Sequence, residues 1–521
     1  ISRLMEEYGI FYFFEHAAKQ HTLVLADRTN AHQPCPGQSK VRYQRATGGA
    51  LPDDVVTAWT LQQEFRTGKF SLTDYNFETP SSNLLASEPS TVRVAGNDKA
   101  EMFEYPGRYG KVADGTTLAR IRMQSEEAGH LQATGAGTCR SFVSGCRFSL
   151  SEHYRGDVNA DYVLVEVRHA ASAGSYAPNG SAGDGAHYEN EFTCIPLAVP
   201  FRPARRTAKP VVQGLQPALV VGKSGEEIWV DKYGRVKVQF YWDRVGKKDD
   251  NSSCWVRVAQ PWAGKNWGFV ALPRMGQEVM IAFLEGDPDR PLVVGSVYNA
   301  EQMPPYALPA NQTQSGIKSR SSKGGGSDNF NELRFEDKKG SEEVHLQAEK
   351  DLTTLVKNDE TRQVQHDRTT TIKNNDTRTV SEGVDTTTVE KGDQNIEVKK
   401  GEQNITLGEG DQIIEIKQGD QLLTLGQGDQ LTELKLGDQK ITIKVGNQIT
   451  KVSVGSATTE AMQGIELKVG QNSVKIDQMG VTIKGMMIKI EGQVQTELKG
   501  LMTTVNADAM LTVKGGITMI N

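Results

Sequence analysis

Glycine recurs at positions 383, 392, 401, 410, 419, 428, 437, 446, 455 and 464 of this chain, nine residues apart every time. Seven of these, from Gly392 to Gly446, open a triplet in which Asp, Glu or Asn is followed by Gln. Between the glycines, apolar residues sit two apart: Ile396 and Val398, Ile405 and Leu407, Ile414 and Ile416, Leu423 and Leu425, Ile441 and Ile443. Such alternation marks a strand with one buried face. Glycine supplies the backbone freedom to turn a corner. Asp367, Asp376 and Asp385 carry the same spacing upstream of the glycines. Short strands that turn every nine residues cannot form a sandwich; they form a stacked, elongated β-structure. Two versions compete. One chain can coil three repeats into each layer, or three chains can intertwine, each giving one strand per layer to one face of a triangular prism.

Composition separates two kinds of physics. Every Phe, Tyr and Trp lies at or before Phe335, the last proline is Pro309 and the last cysteine is Cys254. The first 300 or so residues can build ordinary cores around large side chains. The tail can bury only small aliphatic residues, as a narrow axis shared by three chains requires. In the intertwined version the ten apolar residues named above are the prism core and the trimer contact, and a lone chain is unstable because each repeat lacks its covering neighbours. A calcium-binding nonapeptide is the rival reading, but that motif needs paired glycines, and none occur in these repeats. Asp393, Asp411, Asp420, Asp429 and Asp438, with Glu402 and Asn447, then read as solvated turn residues.

The end of the tail changes character. Met462, Met479, Met486, Met487, Met502, Met510 and Met519 are seven of the 13 methionines, and flexible methionine fills irregular gaps. The last residues, Gly515, Gly516, Ile517, Thr518, Met519, Ile520 and Asn521, are apolar and uncharged. A blunt end of stacked strands exposes edges and needs a cap. These seven are the expected interface for a tip protein, unless the native chain continues past Asn521.

Other features narrow the function. A net charge of −6 offers no broad basic face for nucleic acid. No apolar run reaches the length of a membrane-spanning helix. Cys35, Cys139, Cys146, Cys194 and Cys254 form no CxxC pair, so a disulfide scaffold is not expected and a reducing folding compartment is. No GxSxG, HExxH or P-loop pattern occurs, and no catalytic residue is expected. His16, His21 and His32 lie near Cys35 without zinc-site spacing. His345 and His366 fall at strand-like positions of the tail. No metal or cofactor is expected. In Gly286-Asp287-Pro288-Asp289-Arg290, the two prolines at 288 and 291 argue for a rigid turn rather than a catalytic carboxylate pair.

Residues 214–300 read as a small barrel. Glu227–Val230, Val236–Phe240 and Cys254–Val258 alternate as strands, separated by the turn-like Asp231-Lys232-Tyr233-Gly234 and by the polar stretch 246–253. An OB-type barrel suits five short strands. Five of the six tryptophans fall between Trp229 and Trp267. They are expected to fill a small core or a subunit contact, since no basic groove surrounds them for stacking on bases.

At these residues the chain resembles a known family. The run 231–243 (DKYGRVKVQFYWD), then Cys254–Val258, Pro273–Val279, Gly286–Pro291, Val297–Asn299, Gly316–Gly325 and Phe335–Gly340 resemble the valine-glycine repeat protein G (VgrG) spikes of the bacterial type VI secretion system. Upstream, Arg3–Phe14, Asp74 and Tyr75 with Phe77 and Pro80, Glu104–Tyr109, His153, Asn159, Tyr162, His169, Tyr188, Asn190, Phe192 and Pro196 fit that family's first domain. The resemblance covers nearly the whole chain. It begins partway through the first domain, and the chain opens on Ile1, so an upstream portion is expected.

The resemblance implies a mostly β architecture similar to the hub and spike of a contractile phage tail. It comprises a partial hub of β-barrels (1–200), a linker (201–213), an OB-type barrel (214–300), a connector (301–344) and an intertwined, triple-stranded β-prism needle (345–521). It also implies a homotrimer that caps a hexameric tube protein and carries a PAAR-repeat tip protein. Effector proteins with their chaperones, and baseplate components, are the further implied partners, with transient contact to a target membrane. Nucleic acid is not among the partners. The implied location is the bacterial cytoplasm during assembly, then the extracellular space or the target cell. A spike of this kind is not an enzyme. Some members carry an enzymatic domain after the prism, and the related phage spike holds a lysozyme between barrel and prism. The stretch 300–343 here is too short for a domain of that size.

Overall fold

The computed structural model describes residues 1–45, 54–174 and 186–520. They fall into two units, Ile1–Asp367 and Arg368–Asn521.

The first part of unit 1 runs α1 (Ser2–Glu7), β1 (Phe11–Ala17), β2 (Gln20–Ala26), β3 (Lys40–Arg42), β4 (Val56–Gln63), β5 (Lys69–Leu72), β6 (Ala86–Pro89), β7 (Glu101–Glu104), α2 (Val112–Ala128), β8 (Leu131–Gly137), β9 (Arg147–Ser151), β10 (Asp161–Ser172) and β11 (His187–Pro196). Six strands form one sheet in the order β3-β9-β10-β11-β8-β4. Its buried face is aromatic: Phe142 lies 4.6 Å from Phe148 and 5.1 Å from Phe192, and Trp59 lies 4.9 Å from Tyr162. Cys35, Cys139 and Cys194 are buried in this cluster, and all five cysteines are free thiols.

A second layer pairs the sheet β6-β5-β7 with α2. Leu118, Ala119 and Met123 of α2 pack with Phe70, Leu72, Leu84 and Tyr109 in one buried cluster. The three helix residues share one stripe, as i, i+1 and i+5 positions do. Gly115 is required here, because a Cβ would lie 2.4 Å from the Tyr109 ring. The Tyr109 hydroxyl lies 2.7 and 2.6 Å from the carbonyl oxygens of Leu72, in the central strand β5, and Leu84, just before β6, and shares its proton between them.

The barrel comprises β12 (Gln216–Val221), β13 (Lys237–Phe240), β14 (Arg257–Val258), the short ribbon β15 (Ala263–Gly264) with β16 (Trp267–Gly268), β17 (Glu278–Phe283) and β18 (Pro291–Ser296). Its sheet order is β13-β12-β17-β18-β14. The two ends meet where Val236 and Val256 exchange both backbone hydrogen bonds at 2.9 and 2.8 Å, which closes five strands into a barrel. β14 runs parallel to β18 while the other pairs are antiparallel. This is the partly open Greek-key arrangement of an OB-type barrel. The core is wholly aliphatic: Ala218, Val220, Val236, Val238, Val256, Val279, Ile281 and Val293.

Two expectations are corrected here. Glu227–Val230 is not a strand. It is an irregular segment in which the Glu227 carbonyl accepts from the Met275 N–H at 2.9 Å and its carboxylate from the Gly324 N–H and the Ser322 hydroxyl. The tryptophans do not fill the barrel. Valine, isoleucine and alanine already occupy its narrow interior; Trp242, Trp262 and Trp267 are exposed, and Trp229 and Trp255 are half-buried and stacked 6.4 Å apart, so of the two expected places only the core is ruled out.

A three-stranded antiparallel sheet follows: β19 (Gln314–Lys318), β20 (Glu332–Glu336) and β21 (Glu343–Gln347). β21 spans the expected boundary between connector and prism. His345 lies in β21, whereas His366 lies in a bend beside Asp367 rather than in a strand.

In unit 2, extended segments alternate with bends that end on glycine, from Gly392 through Gly455. Each of these glycines adopts a left-handed φ, from +94° at Gly410 to +125° at Gly446. No ladder pairs these extended segments within the chain, among the described residues. The pattern stops at Gly464, where β22 (Gly464–Val469), β23 (Asn472–Asp477) and β24 (Gly480–Lys484) form an antiparallel meander.

Candidate assembly interface

The repeat presents its aliphatic residues at fixed angles. Ile396, Ile405, Ile414, Leu423 and Ile441 are 62–68% exposed, and Val398, Leu407, Ile416, Leu425 and Ile443 are 46–52% exposed. These narrow bands mean that each nine-residue unit repeats the same geometry, so the pairs line one stripe. A second set points elsewhere: Ile413, Leu422, Leu431, Leu436, Val445 and Val454 are 83–96% exposed. The stripe contains residues that the search for apolar pairs missed. Val389, Leu434 and Val452, each six residues after a glycine, are 47%, 53% and 47% exposed and belong to the same phase. Threonine occupies the partner position two residues earlier, which hides these units from a test that requires two apolar residues. Phase counted from the glycine is the signal that finds them.

The stripe lacks a cover on two counts. Isolated aliphatic exposure is ordinary on a soluble protein, but a contiguous stripe marks an interaction surface. The extended backbone between bends also lacks the ladder partners that strands otherwise find. The expected tip residues are exposed as well, with Ile517, Met519 and Ile520 projecting from the terminal segment. Asn521 lies outside the described residues.

A second constellation joins three of the motifs read from the sequence. Fully buried Asp74 accepts from the Arg290 guanidinium at 2.5 Å and from the backbone N–H groups of Tyr75 and Arg108 at 2.6 and 2.5 Å. Buried Asp287 pairs with the Arg108 guanidinium at 2.7 Å. Each side therefore gives one acid and one base, and the crossed pairs clamp the 74–108 segment to the barrel. Arg235 and Arg257 add to the joint by lying 5.2 and 4.7 Å over the Phe77 ring. The 286–291 segment is a tight turn, closed by the Leu284 N–H to Arg290 carbonyl bond at 3.0 Å. Asp287 there serves an ion pair, and its carboxylate also accepts from the Asp289 N–H at 3.1 Å.

The histidines near Cys35 separate into two environments. His16 and His21 face each other across the β1–β2 ladder with Nδ1 atoms 2.8 Å apart. His32 is buried, stacked 5.0 Å from Phe11, and its Nδ1 donates to the Gly145 carbonyl at 2.8 Å. Burial holds the His32 imidazole below its ordinary range, and the Gly145 bond only partly opposes this. No group of three or more His, Cys, Asp or Glu side chains placed to hold a metal occurs among the described residues. No helix of the described chain is long and apolar enough to cross a membrane.

Comparison with known proteins matches three stretches of the chain. Residues 1–175 match the family described as phage tail baseplate hub (GPD), and 226–298 match the type VI secretion system/phage-baseplate injector OB domain. Residues 315–434 match the bacteriophage T4 gp5 C-terminal trimerisation domain. A hub, an injector OB barrel and a trimerisation repeat in one chain define the hub-and-spike class of contractile injection machines. Within that class the chain belongs to the VgrG spike proteins. It is 46% identical over 364 residues to the type VI secretion system spike protein VgrG1a of Pseudomonas aeruginosa, covering 70% of this chain and 56% of that protein. It is 35% identical over 365 residues to the actin cross-linking toxin VgrG1 of Vibrio cholerae, covering 70% of this chain and 33% of that protein. Among solved structures, an E. coli protein, c3393, described as a type VI secretion component similar to T4 gp27 and gp5, is 20% identical with a TM-score of 0.35, over 57% of this chain and 59% of that one. The chain spans about half the length of the curated relatives it matches.

Proposed function

We propose that three copies of this chain wind together through the nine-residue repeat into the spike of a type VI injector. The observation that carries this reading is the regular, uncovered aliphatic stripe from Val389 to Val452 on backbone segments that have no ladder partner in their own chain. Two further copies supply both missing partners at once, because neighbouring strands complete the hydrogen bonds and the three stripes meet on the axis. The match of 315–434 to a trimerisation domain supports the same count.

In this reading the chain acts by mechanics rather than by catalysis. Three strands that share every layer must break many hydrogen bonds together before one can be withdrawn, so the spike resists force and heat kinetically. The exposed terminal segment from Gly515 to Ile520 takes a PAAR-repeat tip protein, and the spike caps the tube and carries effectors into a target cell. Assembly takes place in the bacterial cytoplasm before export. The curated relatives described as spike proteins support the non-catalytic role. The Vibrio relative described as a toxin covers much sequence outside the matched part.

The test is export. In a type VI-competent strain deleted for its own spike genes, the full chain restores release of tube protein into the medium, and Ile414→Asp does not. Restoration by Ile414→Asp at the level of the unmodified chain contradicts the reading.

A further inference from the structure

The meander at 464–484 differs from the repeats before it. Its strands pair with each other through two-residue turns, Gly470-Gln471 and Gln478-Met479, so its backbone bonds are completed within one chain. Gly470, the first residue of the first turn, takes a left-handed φ of +58°, and Gly480, which opens β24 after the second turn, has φ of +138°. The Asp477 carboxylate accepts from the Met479 N–H at 2.9 Å and fixes the second turn.

The register sorts its side chains into two faces. Ile465 faces Ile476, which faces Val481, and Leu467 faces Val474, which faces Ile483. With Val469 these make one aliphatic face, which ends on Asn472 opposite Val469, its Oδ1 accepting from the Met486 N–H. Glu466, Lys468, Ser473, Lys475, Asp477, Thr482 and Lys484 make the other, with Lys475 paired to Asp477 at 2.9 Å. Period-2 alternation of this kind builds a sheet with one covered face. Yet Leu467 and Val481 are 67% and 64% exposed in the single chain.

We infer that this face is covered by the same face of two other copies, so that three meanders, each folded within its own chain, stand around the threefold axis. The inference rests on the trimer reading of the preceding repeat. It adds that the winding stops at Gly464 and gives way to side-by-side packing. Two observations favour copies over a different protein as the cover. Exposed aliphatic residues flank this segment, Val452 of the stripe before it and Ile488 and Ile490 after it. Copies held together on both sides are present here at high effective concentration. Apart from Asn472 at its end, the face is also aliphatic, without the Trp, Tyr or Arg anchors that carry binding at interfaces between different proteins. The meander then acts as a collar. Its strands cannot be unwound by pulling one chain through the others, and its charged side faces outward.

Two variants of the full chain test this, each with solution mass measured alongside. In Glu466→Cys/Lys475→Cys the new thiols face each other across the β22–β23 ladder. After mild oxidation and denaturation, the expected product is a single-chain band with a 466–475 link in its peptide map. Linked dimers and trimers absent from the unmodified chain mean that the strands pair between chains, which overturns the proposal while leaving the three-chain mass intact. In Val474→Cys the thiol lies on the aliphatic face, and in Ser473→Cys it lies on the charged face. Maleimide is expected to label Val474→Cys about tenfold more slowly than Ser473→Cys in the three-chain assembly. Equal rates at a three-chain mass mean that copies do not cover the face. A single-chain mass sinks the underlying trimer reading and this proposal with it.

Discussion

Ile414 and Ile416 sit in one repeat and belong to the exposed stripe that the proposed three-copy spike would bury. Changing either to Asp places three carboxylates around one axis, and unpaired buried charge is expensive. The expected result is a chain that no longer assembles and is digested from its tail by protease, while the hub and barrel stay resistant. Asp74 is the other residue on which much depends. Its carboxylate is fully buried among one guanidinium and two N–H groups. Asp74→Ala strands the Arg290 charge beside the barrel and costs about 3 kcal/mol, read as a lower denaturation midpoint for the first unit. Asp157→Ala, which breaks an exposed pair with Arg155, is the control and is expected to leave the midpoint unchanged. His32 makes the stability of the first unit depend on pH. Its imidazole is held neutral below its ordinary value of 6.5, chiefly by burial, and its Nε2 has no partner. The unfolded chain therefore binds the proton more readily than the folded one. Stability is full above pH 6.5 and falls as the pH drops below it. Denaturation midpoints measured from pH 7.5 to 5 should show this fall, and His32→Phe should flatten it in that window.

At the scale of elements, the repeat was the most legible part of the chain. A nine-residue glycine period and apolar residues two apart predict extended segments and sharp bends, and the bends end on the expected glycines at left-handed φ. Gly419 shows why glycine is needed. A Cβ there meets nothing within 4 Å in its own chain, yet φ is +111°, so within the chain it is the backbone conformation that calls for glycine. Gly419→Val is expected to cost about 1–2 kcal/mol per copy, and threefold assembly multiplies it. The measurement is the temperature at which the assembled tail dissociates in detergent. The barrel was legible in kind but not in detail. Alternation in 236–240 and 254–258 marks Val236, Val238 and Val256 of its aliphatic core, but the rest comes from β12, β17 and β18, which were not read as strands from the sequence. The crossed pairs of Asp74, Arg108, Asp287 and Arg290 were visible only as separate motifs, because their partners lie up to 216 residues apart. The in-chain pairing of 464–484 was also not legible. Its alternation resembles that of the repeats, and only the two-residue turns separate strands that pair with each other from strands that await another chain.

At the scale of the whole molecule, the account divides labour between two kinds of core. The first unit buries aromatic and aliphatic residues within one chain and holds the barrel by paired charges. The repeat keeps its aliphatic stripe for other copies and spends no aromatic residue on it. The rival account, a calcium-wound monomer, needs carboxylates from successive turns to surround an ion. Asp411, Asp420 and Asp429, expected as turn residues, each follow the glycine that ends a bend and are solvent-exposed in this chain. The measurement that separates the accounts most directly is solution mass by light scattering, with and without a calcium chelator. The expected result is the mass of three chains, unchanged by the chelator. A single-chain mass, or dissociation and unfolding when calcium is removed, would contradict the three-chain spike.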